Sequence, residues 1–378
     1  MDTQEVLLNG HAPPLLIKLI QANDMNALLS LIPLRHDAVK EKPALPVKMT
    51  CFVPSQDVKT TVRDSLNANK ELYAFPVTIV VQPPLGTDNV LVLLWYFTET
   101  PAKKTFHNNC MAVEMKNGHQ WLFIAQDLHA GEMAFETSAR HALTSLFANL
   151  DHFGFNFHDL LHTWFFIPQI TGYSNNEERY QIFNRLRREL FLTQSDPNRP
   201  VAFYPASTGI GSRKAGVWAS AVAFKSGGAV SAHMMDNERQ VPAYHYPKQE
   251  SIEAPLFSRG MCLRTDESAM MFVSGTASIL KSKTVHENDI EGQTHQTIKN
   301  ILGLLTQNTA RHMPALPADV RESIRYATVY IKQEKDYPAV KDICCSYFSD
   351  IPMSYVTADI CRDNLLVEIE CIACINVR

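Results

Sequence analysis

"CRDNLLVEIECIA", residues 361–373, reads as a β-strand with two glutamates set into it. Period-two alternation puts Leu365, Val367, Ile369, Cys371 and Ala373 on one face and Leu366, Glu368, Glu370 and Ile372 on the other. A solvated face would not be bracketed by Leu366 and Ile372. Burying even a neutral polar group without a partner costs about 2–7 kcal/mol, and a carboxylate more. At least one of the two glutamates therefore needs a partner, a raised pKa or a chemical task.

Upstream of this strand the pattern runs strand ("AMMFVSGTASIL"), helix ("DIEGQTHQTIKNILGLL"), strand ("RYATVYIKQ"), helix ("YPAVKDICCSYF") and strand ("SYVTADI"), an order βαβαββ. A related order occupies the first half. From Phe75 to Leu128 come "FPVTIVVQ", "NVLVLLWYF", "CMAVEM" and "QWLFIAQDL", read as one antiparallel sheet, with Asn117-Gly118 as a short hairpin turn. A helix from about Gly131 to Leu150, the strand "HTWFFIPQI" and the helix "NEERYQIFNRLRRELFL" follow, the last with Asn175 or Asn176 as its cap. The section from about 204 to 265 is rich in Gly, Ser and Tyr. The first 45 residues, with "LLIKLIQANDMNALLSLI", predict a helical lead-in. These patterns imply an α+β chain of two related packed domains, residues 46–200 and 201–378, behind a helical extension, residues 1–45.

Composition narrows the function. With 378 residues and 46% hydrophobic content, the chain can fill the cores of two domains. Thirty-five basic and 39 acidic residues, without a long run of either sign, argue against nucleic acid and anionic membranes and favour a small-molecule partner. The apolar runs fall well short of the roughly 20 residues that span a bilayer, and no basic-then-apolar signal opens the sequence, so a cytoplasmic protein is expected. Eight scattered cysteines imply free thiols. Cys371 and Cys374 form a C-x-x-C whose offset of three turns them to opposite faces of a strand, which rules out a shared metal.

Two further motifs carry weak signals. "HDLLH", His158 to His162, has an i, i+4 histidine pair but no glutamate after the first, and reads as a partly exposed pair near a helix end. "TGIGSRKAG", Thr208 to Gly216, fits no phosphate-loop spacing and reads as a tight turn, with Gly209 a candidate for presenting backbone N–H groups to a carboxylate. No serine nucleophile elbow is present.

"FVSGTASI", "TVHENDIEGQTHQTIKNI" and "DICRDNLLVEIECIA" resemble the Rid (YjgF) superfamily. The ordered blocks "HTWFFIPQI", "ERYQIFNRLRREL", "YPASTGIG", "AYHYPKQ" and "APLFSRG" narrow the likeness: over roughly residues 75–376 the chain resembles the chorismatases, which release pyruvate from chorismate. The resemblance implies two packed Rid/YjgF-like (chorismate-mutase-like) βαβ domains with mixed sheets and helices on one face. It places the catalytic acid at Glu368, the first Glu of "VEIE". A carboxylic acid protonates an enol ether near neutral pH only where an apolar site raises its pKa, as Leu366 and Ile372 would help to do. Glu370 reads instead as the partner of a nearby Arg or Lys, or as a surface group.

Two family positions separate product types: both alanine in the branch that hydrolyses chorismate to a dihydroxycyclohexadiene acid, glycine and cysteine in the branch that forms 3-hydroxybenzoate. Here they are Gly275 and Cys361, which points to the second branch. Chorismate is a dicarboxylate, and arginine suits a carboxylate best. Arg259 is the first candidate and Arg187 the second, with Tyr246 and Tyr180 as further contacts. Imine-hydrolysing Rid proteins carry an arginine fifteen residues before the strand glutamate, where this chain has Met353. The resulting expectation is a cofactor-free, metal-free enzyme that acts as a monomer, since two Rid-like halves can supply both walls that Rid trimers build between subunits. The alternatives are the hydrolytic chorismatase, a mixed 3-/4-hydroxybenzoate product, or a non-catalytic Rid-like protein that binds a small carboxylate.

Overall fold

Three times along the chain the same order of elements recurs, and each time it builds a mixed sheet. The computed structural model describes residues 3–8, 15–22, 45–69, 73–87, 90–126, 133–194, 203–213, 216–312, 319–348 and 351–376. The first sheet holds β1 (Thr3–Leu8), β2 (Leu15–Ala22), β3 (Leu45–Val53), β4 (Val77–Val81) and β5 (Val90–Phe97), with α1 (Gln56–Ala68) between β3 and β4. Its strand order is β1-β2-β5-β3-β4. α1 links the parallel pair β3–β4, and β5 returns antiparallel between β2 and β3.

The second sheet opens with the meander β6 (Lys103–His107), β7 (Cys110–Glu114) and β8 (Gln120–Ala125). Then come α2 (Phe135–His152), β9 (Leu160–Pro168), a short hairpin of β10 (Tyr173–Ser174) and β11 (Glu177–Glu178), α3 (Arg179–Leu192), β12 (Ala206–Ser212) and β13 (Trp218–Lys225). The third repeats it with β14 (Ser231–Met235), β15 (Gly260–Arg264), β16 (Ser268–Ala277), the hairpin β17 (Ile279–Leu280) and β18 (Lys283–Thr284), α4 (Ile290–His312), β19 (Ile324–Ile331), α5 (Tyr337–Phe348), β20 (Met353–Thr357) and β21 (Val367–Asn376). The orders β6-β7-β8-β13-β9-β12 and β14-β15-β16-β21-β19-β20 correspond strand for strand, and the first sheet matches both without an opening strand. In each, the last strand in sequence slots into the middle.

Packing follows from this placement. On the outer face of the second sheet, Leu143 and Leu146 of α2 and Phe183 of α3 meet Phe165 and Ala221; on that of the third, Ile298, Leu305 and Val340 meet Val329, Val367 and Ile369. The inner faces of all three sheets form one continuous cluster. At its centre Trp95 of β5 meets Trp164 of β9 edge-on at 6.2 Å and stacks on Phe272 of β16 at 6.5 Å, one ring from each sheet.

The α+β class with mixed sheets is as read from the sequence, and several local readings are corrected. Leu15–Ala22 is a strand where a helix was expected, with Leu15, Ile17 and Ile20 fully buried along with Leu16 and Leu19. A strand covered on both faces shows a continuous apolar run, which periodicity cannot distinguish from a buried helix. The rest of that expected helix lies outside the described residues. The single sheet expected from Phe75 to Leu128 is two, because β5 pairs with β2 and β3 while β8 pairs with β7 and β13. β6 left no apolar signal because all five of its residues are exposed. The Asn117-Gly118 turn forms as predicted, with Gly118 at φ 80°. Asn175 and Asn176 do not cap α3; both take positive φ in the turn between β10 and β11, and Glu178 precedes the helix. Among the described residues no helix is long and apolar enough to cross a membrane.

Trp95 joins all three sheets, so Trp95→Ala should destabilise the protein by about 3–5 kcal/mol in urea unfolding, the usual loss for a large buried aromatic.

Candidate active site

β21 is a central strand, paired antiparallel with β16 on one side and β19 on the other. Its two faces are those of the alternation: Val367, Ile369, Cys371 and Ala373 join the cluster under α4 and α5, while Ile372 and Cys374 join the inner one. Glu368 and Glu370 therefore point inward, 4% and 7% exposed. Cys371 and Cys374 fall on opposite faces, as expected. Pairing with β16 shifts between Val273 and Thr276, so Ser274 and Gly275 bulge opposite Glu370. The bulge brings the Gly275 backbone against the Glu368 carboxyl. A Cβ at Gly275 would overlap Oε1 of Glu368 and stand 2.9 Å from its Cδ, so only glycine leaves the carboxyl where it is.

The two carboxyls meet different surroundings. Glu370 accepts from Trp164 Nε1 at 2.8 and 3.0 Å, from Tyr330 OH at 3.0 Å, and from the Thr208 hydroxyl. Burial pushes its pKa up, and the bonds from Thr208, Tyr330 and Trp164 work against that rise. No described residue donates a hydrogen bond to Glu368. Burial, then the charge of Glu370, raise its pKa to about 8, while Arg259 pulls it back. One strand thus holds an acid that stays protonated at neutral pH beside a second buried carboxyl group that three donors reach.

Glu368 opens into a cavity of about 200 Å³ with walls from two modules. Tyr180 and Glu178 come from the second; Tyr246, Arg259 and Gly275 belong to the third, as do Cys361 and Arg362. Arg259 Nη2 donates to Tyr246 OH at 2.6 Å and to the Val241 carbonyl at 3.0 Å, while its buried Nε has no partner. Arg362 lies over the Tyr246 ring at 5.4 Å and donates to the Ser282 carbonyl at 3.0 Å. Two guanidiniums thus bracket one phenol at the cavity wall, an arrangement suited to an anionic ligand. Cys361 is partly buried; burial, then Glu368, push its thiol up to about 12, so it stays S–H near neutral pH.

Of the sequence candidates, Glu368, Cys361, Gly275, Arg259, Tyr246 and Tyr180 line this one cavity. Arg187 does not. It stands behind Tyr180, 1% exposed, donating to Asn184 Oδ1 at 2.7 Å, its guanidinium charge facing the phenol. Gly209 also misses the cavity: its segment is strand β12 and not a tight turn, and a Cβ there would come 3.5 Å from the Tyr180 ring. Lys214 of the same motif lies outside the described residues. His158 and His162 share no helix, since His158 sits in a short 3-10 turn and His162 is buried on β9. The surface reading of Glu370 is corrected by its burial. Sequence reasoning missed Thr208, Trp164 and Tyr330, whose partner Glu370 is distant in the chain. It also passed over Arg362, whose only signal was its place beside Cys361.

Residues 95–223 match the family described as "Chorismatase FkbO/Hyg5-like, N-terminal", and residues 253–375 match "Endoribonuclease L-PSP". The chain is similar to a 3-hydroxybenzoate synthase of Streptomyces hygroscopicus, 37% identical over 243 residues, 62% of this chain and 69% of that one. A chorismatase of the same organism is 27% identical over 262 residues, 68% of this chain and 74% of that one. The fold matches a chorismatase crystal structure with a TM-score of 0.72 at 20% identity, over 96% of this chain and 98% of that one. Fold and site define an α+β protein with a buried acid facing an arginine-lined cavity. The chain belongs to the chorismatase family.

Thr208 Oγ1 accepts from the Gly275 backbone N–H at 3.1 Å and donates to Glu370. Thr208→Val keeps the shape, leaves the Gly275 N–H without its acceptor and takes one of three donors from Glu370, so denaturant unfolding should show a loss of about 1–3 kcal/mol. A second expectation follows from Glu368. Its folded pKa is raised, so the stability it contributes is complete below the ordinary value of 4.5 and disappears as pH rises through about 8. Across that window the wild type should lose stability relative to Glu368→Gln in unfolding titrations.

Proposed function

We propose that this chain cleaves chorismate to 3-hydroxybenzoate and pyruvate, with Glu368 as the general acid. The carrying observation is the Glu368 carboxyl itself: buried, without a donor, held against Gly275 and open to a cavity that contains Arg259 and Arg362. Its proton passes to the methylene carbon of the enolpyruvyl ether, giving an oxocarbenium. The C4 hydroxyl oxygen then displaces the C3–O bond, pyruvate leaves, and the hydroxyl proton returns to the Glu368 carboxylate. The resulting arene oxide opens and loses a ring proton to give 3-hydroxybenzoate. Atoms balance without water. Cys361, kept as a thiol, assists as a neutral relay beside the C4 oxygen. The substrate carboxylates fit Arg259, whose Nε lacks a partner, and the Arg362–Tyr246 pair.

Gly275 and Cys361 together, and the likeness to a protein named 3-hydroxybenzoate synthase, support this product over the hydrolytic one. Walls drawn from two modules of one chain support a monomer as the acting form.

Chorismate incubated with the protein and resolved by chromatography should give an aromatic product with the mobility of 3-hydroxybenzoate, one for each pyruvate. A non-aromatic diene acid would move the chain to the hydrolytic branch, and unconsumed chorismate would overturn the reading. Glu368→Gln should lower pyruvate release at least about 100-fold, the low end for loss of a general acid. In the wild type, kcat/KM should fall as pH rises through about 8, where Glu368 gives up its proton.

A further inference from the structure

Glu370 is not needed as a proton donor above, yet it is one of the most elaborately bonded groups in the protein. Each of its partners comes from a different direction. Trp164 stands on β9, Thr208 on β12 and Tyr330 on β19, so the carboxylate ties β21 to the second sheet and to its own neighbour strand. Below it lies a second, smaller cavity of about 30 Å³, walled by Lys48 of β3, His162, Trp164, Thr328, Tyr330 and Glu370 itself. The first sheet, lying largely before the matched residues, thereby brings a single ammonium to this place. Lys48 donates to Thr50 Oγ1 at 2.9 Å and lies over the Trp164 ring at 4.5 Å, the same indole whose N–H reaches Glu370.

Other charges around the pair are accounted for. His162 faces Glu370 from β9, its Nε2 3.6 Å from Oε2; burial, then Lys48, lower its pKa to about 3, so it is neutral. Tyr326 and Tyr330 of β19 keep their protons, and Cys371 on β21 keeps its own. Burial lowers Lys48 to about 8 while Glu370 opposes the fall, so an ammonium is available near neutral pH. The large cavity that Glu368 lines also holds Arg259, Arg362, Glu178, Glu250 and Asp363, with Tyr180 and Cys361 as neutral groups.

From this geometry we infer that Glu370 is a positioning residue: a fixed negative charge, held by Trp164, Thr208 and Tyr330 and balanced by Lys48, that keeps the shared proton on Glu368. Two like carboxyls two residues apart on one buried face do not both ionise readily. The one with three donors and a nearby ammonium takes the charge, and the one set against the bare Gly275, with no donor among the described residues, keeps the proton. Thr208 adds a mechanical link, because its hydroxyl joins Glu370 to the Gly275 N–H in the bulge that cradles the Glu368 carboxyl. The inference deepens the chorismate-cleaving reading and rests on it for its kinetic consequence alone.

The experiment is an infrared pH titration of carboxyl C=O bands in the full chain, beside the pH dependence of kcat/KM for pyruvate release. A protonated buried carboxyl should be present at pH 7 in the wild type, vanish in Glu368→Gln, and titrate at least about one pH unit lower in Glu370→Gln. The alkaline limb of kcat/KM should move down by the same amount. If the Glu368 band in Glu370→Gln still titrates at its wild-type pH, the charge of Glu370 does not hold that proton and the inference falls. An unmoved limb with a uniformly lower kcat would make Glu370 merely structural and overturn it as well. Should Glu370→Gln not fold, the wild type and Glu368→Gln decide: persistence of the band in Glu368→Gln refutes the inference. Infrared bands that behave as expected in a protein that leaves chorismate untouched would instead defeat the proposed function and leave the paired carboxyls standing.

Discussion

Two carboxyl groups buried two residues apart on a central strand set the terms for everything around them. Water is excluded from that face, so each charge must be met by a donor or given up. Glu370 is met, by an indole, a threonine hydroxyl and a phenol. Glu368 is not, and its carboxyl holds its proton to about pH 8. The asymmetry needs no cofactor to create it; it comes from which neighbouring strands present hydrogen-bond donors and which presents a bare glycine.

The repeated module explains how such a pair is built. Each sheet covers its outer face with helices, or in the first with α1, and turns its inner face toward the other two. Where three inner faces meet, large rings fill the centre, and Trp95, Trp164 and Phe272 each bring one sheet to the contact. A polar network crosses this centre through all three modules: Lys48 from the first, Trp164 and Thr208 from the second, Tyr330 and Glu370 from the third. The large cavity forms off this centre, between the second and third modules, at the place where the β16 bulge lets Glu368 look out. The first module supplies none of that cavity's described walls and yet brings Lys48 into the smaller cavity beside Glu370.

Local readings succeeded where a single element carried its own signature. α5 begins and ends where "YPAVKDICCSYF" does, the Asn117-Gly118 hairpin is where its dipeptide placed it, and the two faces of β21 follow from counting alternate residues. They failed where burial came from both sides or from none. β2 reads as a helix because both its faces are covered, and β6 reads as nothing because neither is. The motif at Thr208 to Gly216 shows a related error, since its glycines suggested a turn where the chain is a strand, and at Gly211 a Cβ would come within 2.9 Å of Asp359.

From its order of residues alone the chain determined that two acidic groups would share one face of the last strand, while the likeness to the chorismatases implied that Gly275, Cys361, arginine and tyrosine would accompany them. Alternation is a property of the backbone, so no distant partner is needed to read it. Only the tertiary structure decided which glutamate meets hydrogen-bond donors: Glu370 has three, and Glu368 none among the described residues. Arg187 was likewise set behind the wall and Arg362 at its surface, and a lysine some 320 residues upstream of Glu370 came to share its cavity. Protonation and access depend on what is packed within a few ångströms, and in a chain folded from three sheets those neighbours are remote in sequence.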